Sequence, residues 1–145
     1  MSKNIKQLSV FLENKEGRLN EALNILAAAD VNIVALSLAD TKDFGMLRMI
    51  VSDPEKGQQA LKAEGITASL TEVIAVQVSH ATGSLAKAME KIADAGVNVE
   101  YMYAFANGAK ASAILKISAP ETVVDILLGS GFEVWDADEA YRANQ

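Results

Sequence analysis

Ala29-Asp30-Val31-Asn32-Ile33 and Ala95-Gly96-Val97-Asn98-Val99 are two versions of one phrase, and they stand 66 residues apart. The same offset of 66 separates Gly17 from Gly83, Pro54 from Pro120 and Gly65 from Gly131, with no gap between them. Apolar positions repeat in step: Val10/Val76, Leu12/Val78, Leu19/Leu85, Leu23/Met89, Leu26/Ile92, Val51/Ile117 and Leu61/Leu127. A constant period of this kind is one structural unit written twice. The chain of 145 residues accordingly divides into units over residues 1–71 and 72–145.

Each unit reads as βαββαβ. Leu8, Val10 and Leu12 alternate with Ser9, Phe11 and Glu13, the period of a half-buried strand. Leu19, Ala22, Leu23, Leu26 and Ala27 then recur every three or four residues, predicting a helix from Arg18 to Ala29. The β-rich stretch Ile33–Ala39 turns through residues 40–43 into Met46–Val51, a hairpin. Asp53 as N-cap and Pro54 in the first turn start a second helix. Gly65 ends that helix, and the chain from Ile66 is a fourth strand that runs into the next unit near Glu72–Val76. The second copy predicts a strand at Ile74–Ser79, a helix at Ser84–Ala95, strands at Asn98–Phe105 and Lys110–Ile117, a helix from Pro120 and a last strand at Phe132–Trp135. Right-handed crossovers make each unit a split βαβ pair, the α+β ferredoxin-like plan of four antiparallel strands with two helices on one face. A unit of about 66 residues is marginal alone, so the two copies are expected to pack together.

Composition narrows the function. Half the residues are apolar and 22% are charged, which suits a globular chain. Thirteen Lys and Arg against nineteen Asp and Glu leave a net charge of −6, with no basic patch for nucleic acid or an anionic membrane. Cysteine is absent, excluding disulfides, thiolate metal sites and cysteine nucleophiles together. The first residues lack the apolar stretch of a secretory signal, and no segment approaches the roughly 18 apolar residues of a membrane span. The expected location is the cytoplasm. His80 is the only histidine, and no HExxH, GxSxG or phosphate-binding glycine loop occurs, so no catalytic residue, metal ligand or cofactor is assigned. Asp136, Asp138 and Glu139 read as a solvated polar tail.

The segments leading into the first helix of each unit are Glu13-Asn14-Lys15-Glu16-Gly17-Arg18-Leu19 and Ser79-His80-Ala81-Thr82-Gly83-Ser84-Leu85. A glycine lets the backbone approach a ligand, and the amides of a helix start favour a carboxylate. Asn14 or Glu13 can accept from an ammonium, and an α-amino acid carries both groups. The plainer alternative is a glycine that only turns the chain into a helix. Asn32 and Asn98 likewise either cap the turn after the helix or hold a zwitterion. His80 is either a local cap or a ligand contact that would depend on pH. Ala35, Ser37 and Ala39 become Tyr101, Tyr103 and Phe105 in the second copy, rings that either complement small side chains or wall a pocket.

The glycine-leucine segments at 13–19 and 79–85, the Ala-(Asp/Gly)-Val-Asn-(Ile/Val) exits and the proline-started second helices resemble ACT domains, small βαββαβ regulatory modules that sense amino acids. Nearly the whole chain is covered, twice, as in stand-alone tandem ACT proteins. The resemblance implies ACT units side by side in an eight-stranded antiparallel sheet with helices on one face, and a homodimer. It also implies a free amino acid bound between the strand-to-helix loop of one unit and a neighbouring unit. By motif position the ligand-binding residues are Asn14, Gly17, Leu19 and Asn32 in the first copy and His80, Gly83, Leu85 and Asn98 in the second. The function implied is non-enzymatic regulation by conformational or assembly change, with a metabolic enzyme as a further partner. Two alternatives stand beside it: a detached regulatory subunit or adaptor without its own ligand, and a small enzyme of ferredoxin-like fold.

Overall fold

Alternating apolar side chains must find cover, and in the first half of the chain two helices provide it. The computed structural model describes residues 3–40, 43–79, 82–107 and 110–143, in two units: Lys6–Thr71, and the residues from Glu72 onward joined by those before Lys6. The elements of the first half are β1 (Ile5–Glu13), α1 (Arg18–Ala28), β2 (Ile33–Asp40), β3 (Phe44–Val51), α2 (Pro54–Ala63) and β4 (Ala68–Val78). Strand order in the first unit is β2-β3-β1-β4, the order of a split βαβ pair. The β1–β3 ladder is antiparallel, with Leu8 opposite Met49 and Val10 opposite Leu47. The start of β4 is tied to β1 through the Phe11 amide, which donates to the Thr67 carbonyl at 3.0 Å.

The core lies between sheet and helices. Leu8, Val10, Leu12, Leu47, Met49 and Val51 meet Ala22 and Leu26 of α1 and Leu61 of α2, all buried. Asp53 caps α2 by accepting from the Lys56 amide at 3.2 Å, with Pro54 in the first turn. Behind α2, Gly65 sits at φ 78°, the left-handed conformation expected of it.

The second unit repeats the plan with α3 (Ser84–Asp94), β5 (Val99–Asn107), β6 (Lys110–Ile117), α4 (Pro120–Gly129) and β7 (Glu133–Val134). Its order is β5-β6-β4-β7, and its core is built from Ile74, Val76, Ala88, Ile92, Leu115, Val123 and Leu127. The last strand is shorter than the sequence pattern suggests, because only Val134 and Glu133 pair, with Val76 and Gln77. Seven strands rather than eight are present among the described residues. The reason is that β4 is one continuous strand of 11 residues whose first part serves the first unit and whose second part serves the second.

The polar tail is not a tail. Asp136 and Glu139 form a reciprocal capping box that starts a short helix, α5 (Ala137–Arg142). The Asp136 carboxylate accepts from the Glu139 amide at 2.9 Å, and the Glu139 carboxylate accepts from the Asp136 amide at 3.5 Å. Ala140 and Ala143 are buried, as is Trp135 immediately before the cap. Trp135 meets Phe105 edge to face at a centroid distance of 5.8 Å. With the Gln77 amide turned to satisfy both neighbours, its oxygen accepts from the Trp135 indole N–H at 3.2 Å and its nitrogen donates to Glu133. Phe105 thus has a packing partner inside its own unit.

Two predictions follow from this packing. Leu26→Ala should remove about 2–5 kcal/mol of stability, as deletions of fully buried leucines do, measured by denaturant unfolding. The Glu139 amide hydrogen bond holds the Asp136 carboxyl below its usual range. A carboxyl depressed in the folded state contributes stability that is present above its unfolded pKa and lost as pH falls through the folded one. Fluorescence of Trp135, the single tryptophan, should therefore shift to the red in acid below the ordinary aspartate range. Asp136→Ala should show the shifted spectrum at neutral pH.

Candidate functional site

Both lead-in loops end on a glycine that is itself the helix N-cap. Gly17 has φ 84° and ψ −9°, and Gly83 has φ 85° and ψ −1°. N-cap residues usually hold extended backbone and offer a side-chain acceptor. These two do neither, and both are exposed. A left-handed start strains any residue with a Cβ, so the chain needs glycine here even though no atom lies within 4 Å of the missing methyl. Conformation, not crowding, fixes the residue. Neither helix start has a side-chain cap, so its dipole end is closed only by backbone, as where the Arg18 amide donates to the Lys15 carbonyl at 3.2 Å.

In the first unit the loop is closed by charge. Lys15 Nζ lies 2.9 Å and Arg18 Nη2 3.9 Å from the two Glu13 oxygens, and Arg18 Nη1 donates to Glu21 at 2.9 Å. The Lys15 hydrogen bond, followed by its charge, holds the Glu13 carboxyl below its ordinary value. In the second unit Ser84 Oγ accepts from the Ser79 amide at 3.3 Å, a neutral closure at the same repeat positions.

A cleft opens beside each loop. The first, about 460 Å³, is lined by Phe11, Leu12, Glu13, Arg18, Phe44 and Ile66, among others. The second, about 300 Å³, is lined by Gln77, Val78, Ser79, Ser84, Gly131 and Phe132, with Glu133. Leu12, Glu13, Arg18, Gly65 and Ile66 become Val78, Ser79, Ser84, Gly131 and Phe132 at an offset of 66, so the repeat reproduces the cleft and changes its chemistry. A larger open groove of about 740 Å³ runs between α1 and α2, walled by Ala28, Ala29, Ala60 and Ala63 with Gly17 at one end.

The expected ligand residues do not form one cluster. Asn14 and Gly17 stand before α1 and Asn32 after it, at opposite ends of a helix of 11 residues, a length of roughly 16 Å. One small molecule in one unit cannot touch both ends. Asn14 is exposed, and its amide donates to the Asp43 carbonyl at 2.9 Å. Asn32 is also exposed, with its backbone fixed by Ser52, whose hydroxyl accepts from the Asn32 amide at 2.9 Å. Leu19 packs partly buried against the first core, whereas Leu85 is 38% exposed. Asn98 is exposed at the end of α3 away from Gly83. His80 lies outside the described residues. Glu13, Arg18, Phe11 and Phe44 line the cleft although motif position did not select them. The signal was present for Glu13 and Arg18, a pair of opposite charge at the two ends of one loop.

Among the described residues no group of three or more His, Asp or Glu side chains is placed to hold a metal ion, and no helix is long and apolar enough to cross a membrane.

Two βαββαβ units in one chain, each entering its first helix through a left-handed glycine, define a tandem ferredoxin-like fold. Within it, the chain belongs to the ACT domain pair family, whose model matches residues 3–141. A Bacteroides thetaiotaomicron protein of known crystal structure is 38% identical, with a TM-score of 0.93 over 97% of this chain and 98% of that one. The ligand-free regulatory subunit of aspartate kinase from Thermus thermophilus is 15% identical, with a TM-score of 0.62 over 90% of this chain and 95% of that one. The corresponding subunit from Thermus flavus is 16% identical, with a TM-score of 0.60 over 88% and 94%. At those identities the two subunits share the fold. No curated protein sequence matches the chain.

The backbone account of the glycines is testable. Gly17→Ala should cost about 1–2 kcal/mol through left-handed strain alone. Gly17→Asn should cost less, because asparagine tolerates that conformation. Equal losses in thermal unfolding would show that space rather than conformation selects glycine.

Proposed function

We propose that this chain is a non-enzymatic regulatory protein of the cytoplasm that binds a free amino acid at its strand-to-helix loops and signals by a change of conformation or assembly. The observation that carries the reading is the twofold occurrence of a left-handed glycine at a helix start beside a cleft. A helix start without a side-chain cap suits the carboxylate of a small zwitterion, and the carboxylate of Glu13 suits its ammonium. Membership of the ACT domain pair family supports the same reading. Its likeness to aspartate kinase regulatory subunits supports a metabolic enzyme as the partner that reads the signal.

The working form is a homodimer. Because α1 separates Asn14 from Asn32, a second copy supplies the end of the site that one unit lacks, with Asn14 and Gly17 from one copy and Asn32 from the other. Asn98 takes the corresponding role with Gly83. An effector regulates only if it binds one arrangement more tightly than another, so the dimer must exist in two arrangements of different affinity.

Thermal unfolding with each proteinogenic amino acid tests the reading. Ligand at roughly a hundred times its dissociation constant adds about 2.7 kcal/mol, a midpoint shift of about 2–8 °C at this chain length. One selective shift is expected; no shift across the set would leave an adaptor that binds protein alone. Mixing tests the dimer. Asn14→Ala and Asn32→Ala should each weaken binding, and refolding the two together should restore one intact site per mixed dimer. No recovery on mixing would contradict a site shared between copies.

A further inference from the structure

Of the two clefts related by the repeat, only the first brings together apolar rings and charges of both signs. Phe11 and Phe44 stack at a centroid distance of 4.8 Å with 29° between their planes. They remain 43% and 44% exposed, among the most exposed large apolar side chains described. Leu12 and Ile66 continue the apolar wall. Glu13 and Arg18 line the same cleft, with Glu21 and Glu64. The Arg18 guanidinium carries five N–H donors; Nη1 is engaged by Glu21 at 2.9 Å and Nη2 lies 3.9 Å from Glu13. The other donors remain for a ligand carboxylate, and the two oxygens of Glu13 can accept from an ammonium beside their contact with Lys15. In the second cleft the position of Phe11 is Gln77, that of Glu13 is Ser79 and that of Arg18 is Ser84. The pair of opposite charges and the exposed ring are both gone.

We infer that the first-unit cleft is a site for a free α-amino acid with an aromatic or large aliphatic side chain, and that the second-unit cleft, without the exposed ring and the charge pair, does not take that class. Arg18 takes the carboxylate, Glu13 the ammonium, and the side chain lies over Phe11 and Phe44, removing exposed apolar surface from water. The inference rests on the reading of the chain as an amino-acid-binding protein and adds to it a place and a ligand class.

Calorimetric titration of the full chain with phenylalanine, leucine, lysine and glutamate tests it. Phenylalanine or leucine should bind at one site per chain, and lysine and glutamate should bind at least ten-fold more weakly. Phe44→Ala and Arg18→Gln should each weaken binding ten-fold or more. Phe44→Leu, which keeps an apolar wall, should retain most of the affinity, and Ser84→Ala should leave it unchanged. Phe44 is exposed and Arg18 half-buried, and unliganded midpoints equal to that of the unmodified chain would show that the variants fold. Selective binding of lysine or glutamate would overturn the ligand class while leaving amino-acid binding in place. Affinity that survives Phe44→Ala and Arg18→Gln but falls in Asn14→Ala would overturn the location alone. Absence of binding by every amino acid would overturn both this inference and the function it rests on.

Discussion

Everything in each unit depends on covering one face of a four-stranded sheet with two helices inside about 66 residues. Leu8, Val10 and Leu12 are buried because Ala22 and Leu26 of α1 and Leu61 of α2 lie over them, and Ile74 and Val76 are buried by Ala88, Ile92 and Leu127 in the same way. For α1 to lie back over the strand that precedes it, the chain must reverse within Asn14–Gly17. A left-handed glycine makes that reversal, and its side effect is a helix start with no side-chain cap. The feature offered here as a ligand site is thus a consequence of how the core is closed. The fold supplies the polar cradle, and the side chains around it decide whether anything binds.

Those side chains have diverged between the copies. The loop closed by Glu13, Lys15 and Arg18 in the first unit is closed by Ser79 and Ser84 in the second. Exposed pairs of this kind contribute little to stability, on the order of 0–1 kcal/mol, so stability puts few demands on these positions. They are free to carry recognition instead. Duplication followed by divergence at such positions gives one chain two clefts of similar shape and different chemistry.

Much of the architecture was legible in the sequence, because a period of two, a period of three to four and a repeat of 66 are direct images of strand, helix and duplicated unit. Asp53, Pro54 and Gly65 were legible for the same reason: each has a local mechanism that acts through its own backbone. The helix α5 was missed because its residues are acidic and terminal, although Asp136 followed by Glu139 three residues later is the spacing of a capping box. Strand β4 was read as running from Ile66 into the next unit and was counted again at Ile74–Ser79, because each unit requires a strand there. The candidate cleft was less legible. Motif position selected Gly17 and Gly83, whose left-handed backbone the structure shows, and it selected Asn14 with Asn32, which α1 holds at its opposite ends within one unit. It also passed over Phe11 and Phe44, whose proximity depends on the β1–β3 register and leaves no local trace in the sequence.

The most direct test of the central claim is a map of backbone amide chemical shifts in the labelled chain as an effector amino acid is added. The account predicts shifts concentrated at residues 13–18 and at Phe11 and Phe44, with Gly83 and Ser84 little changed. Shifts confined to other surfaces, or no shifts with any amino acid at millimolar concentration, would contradict it.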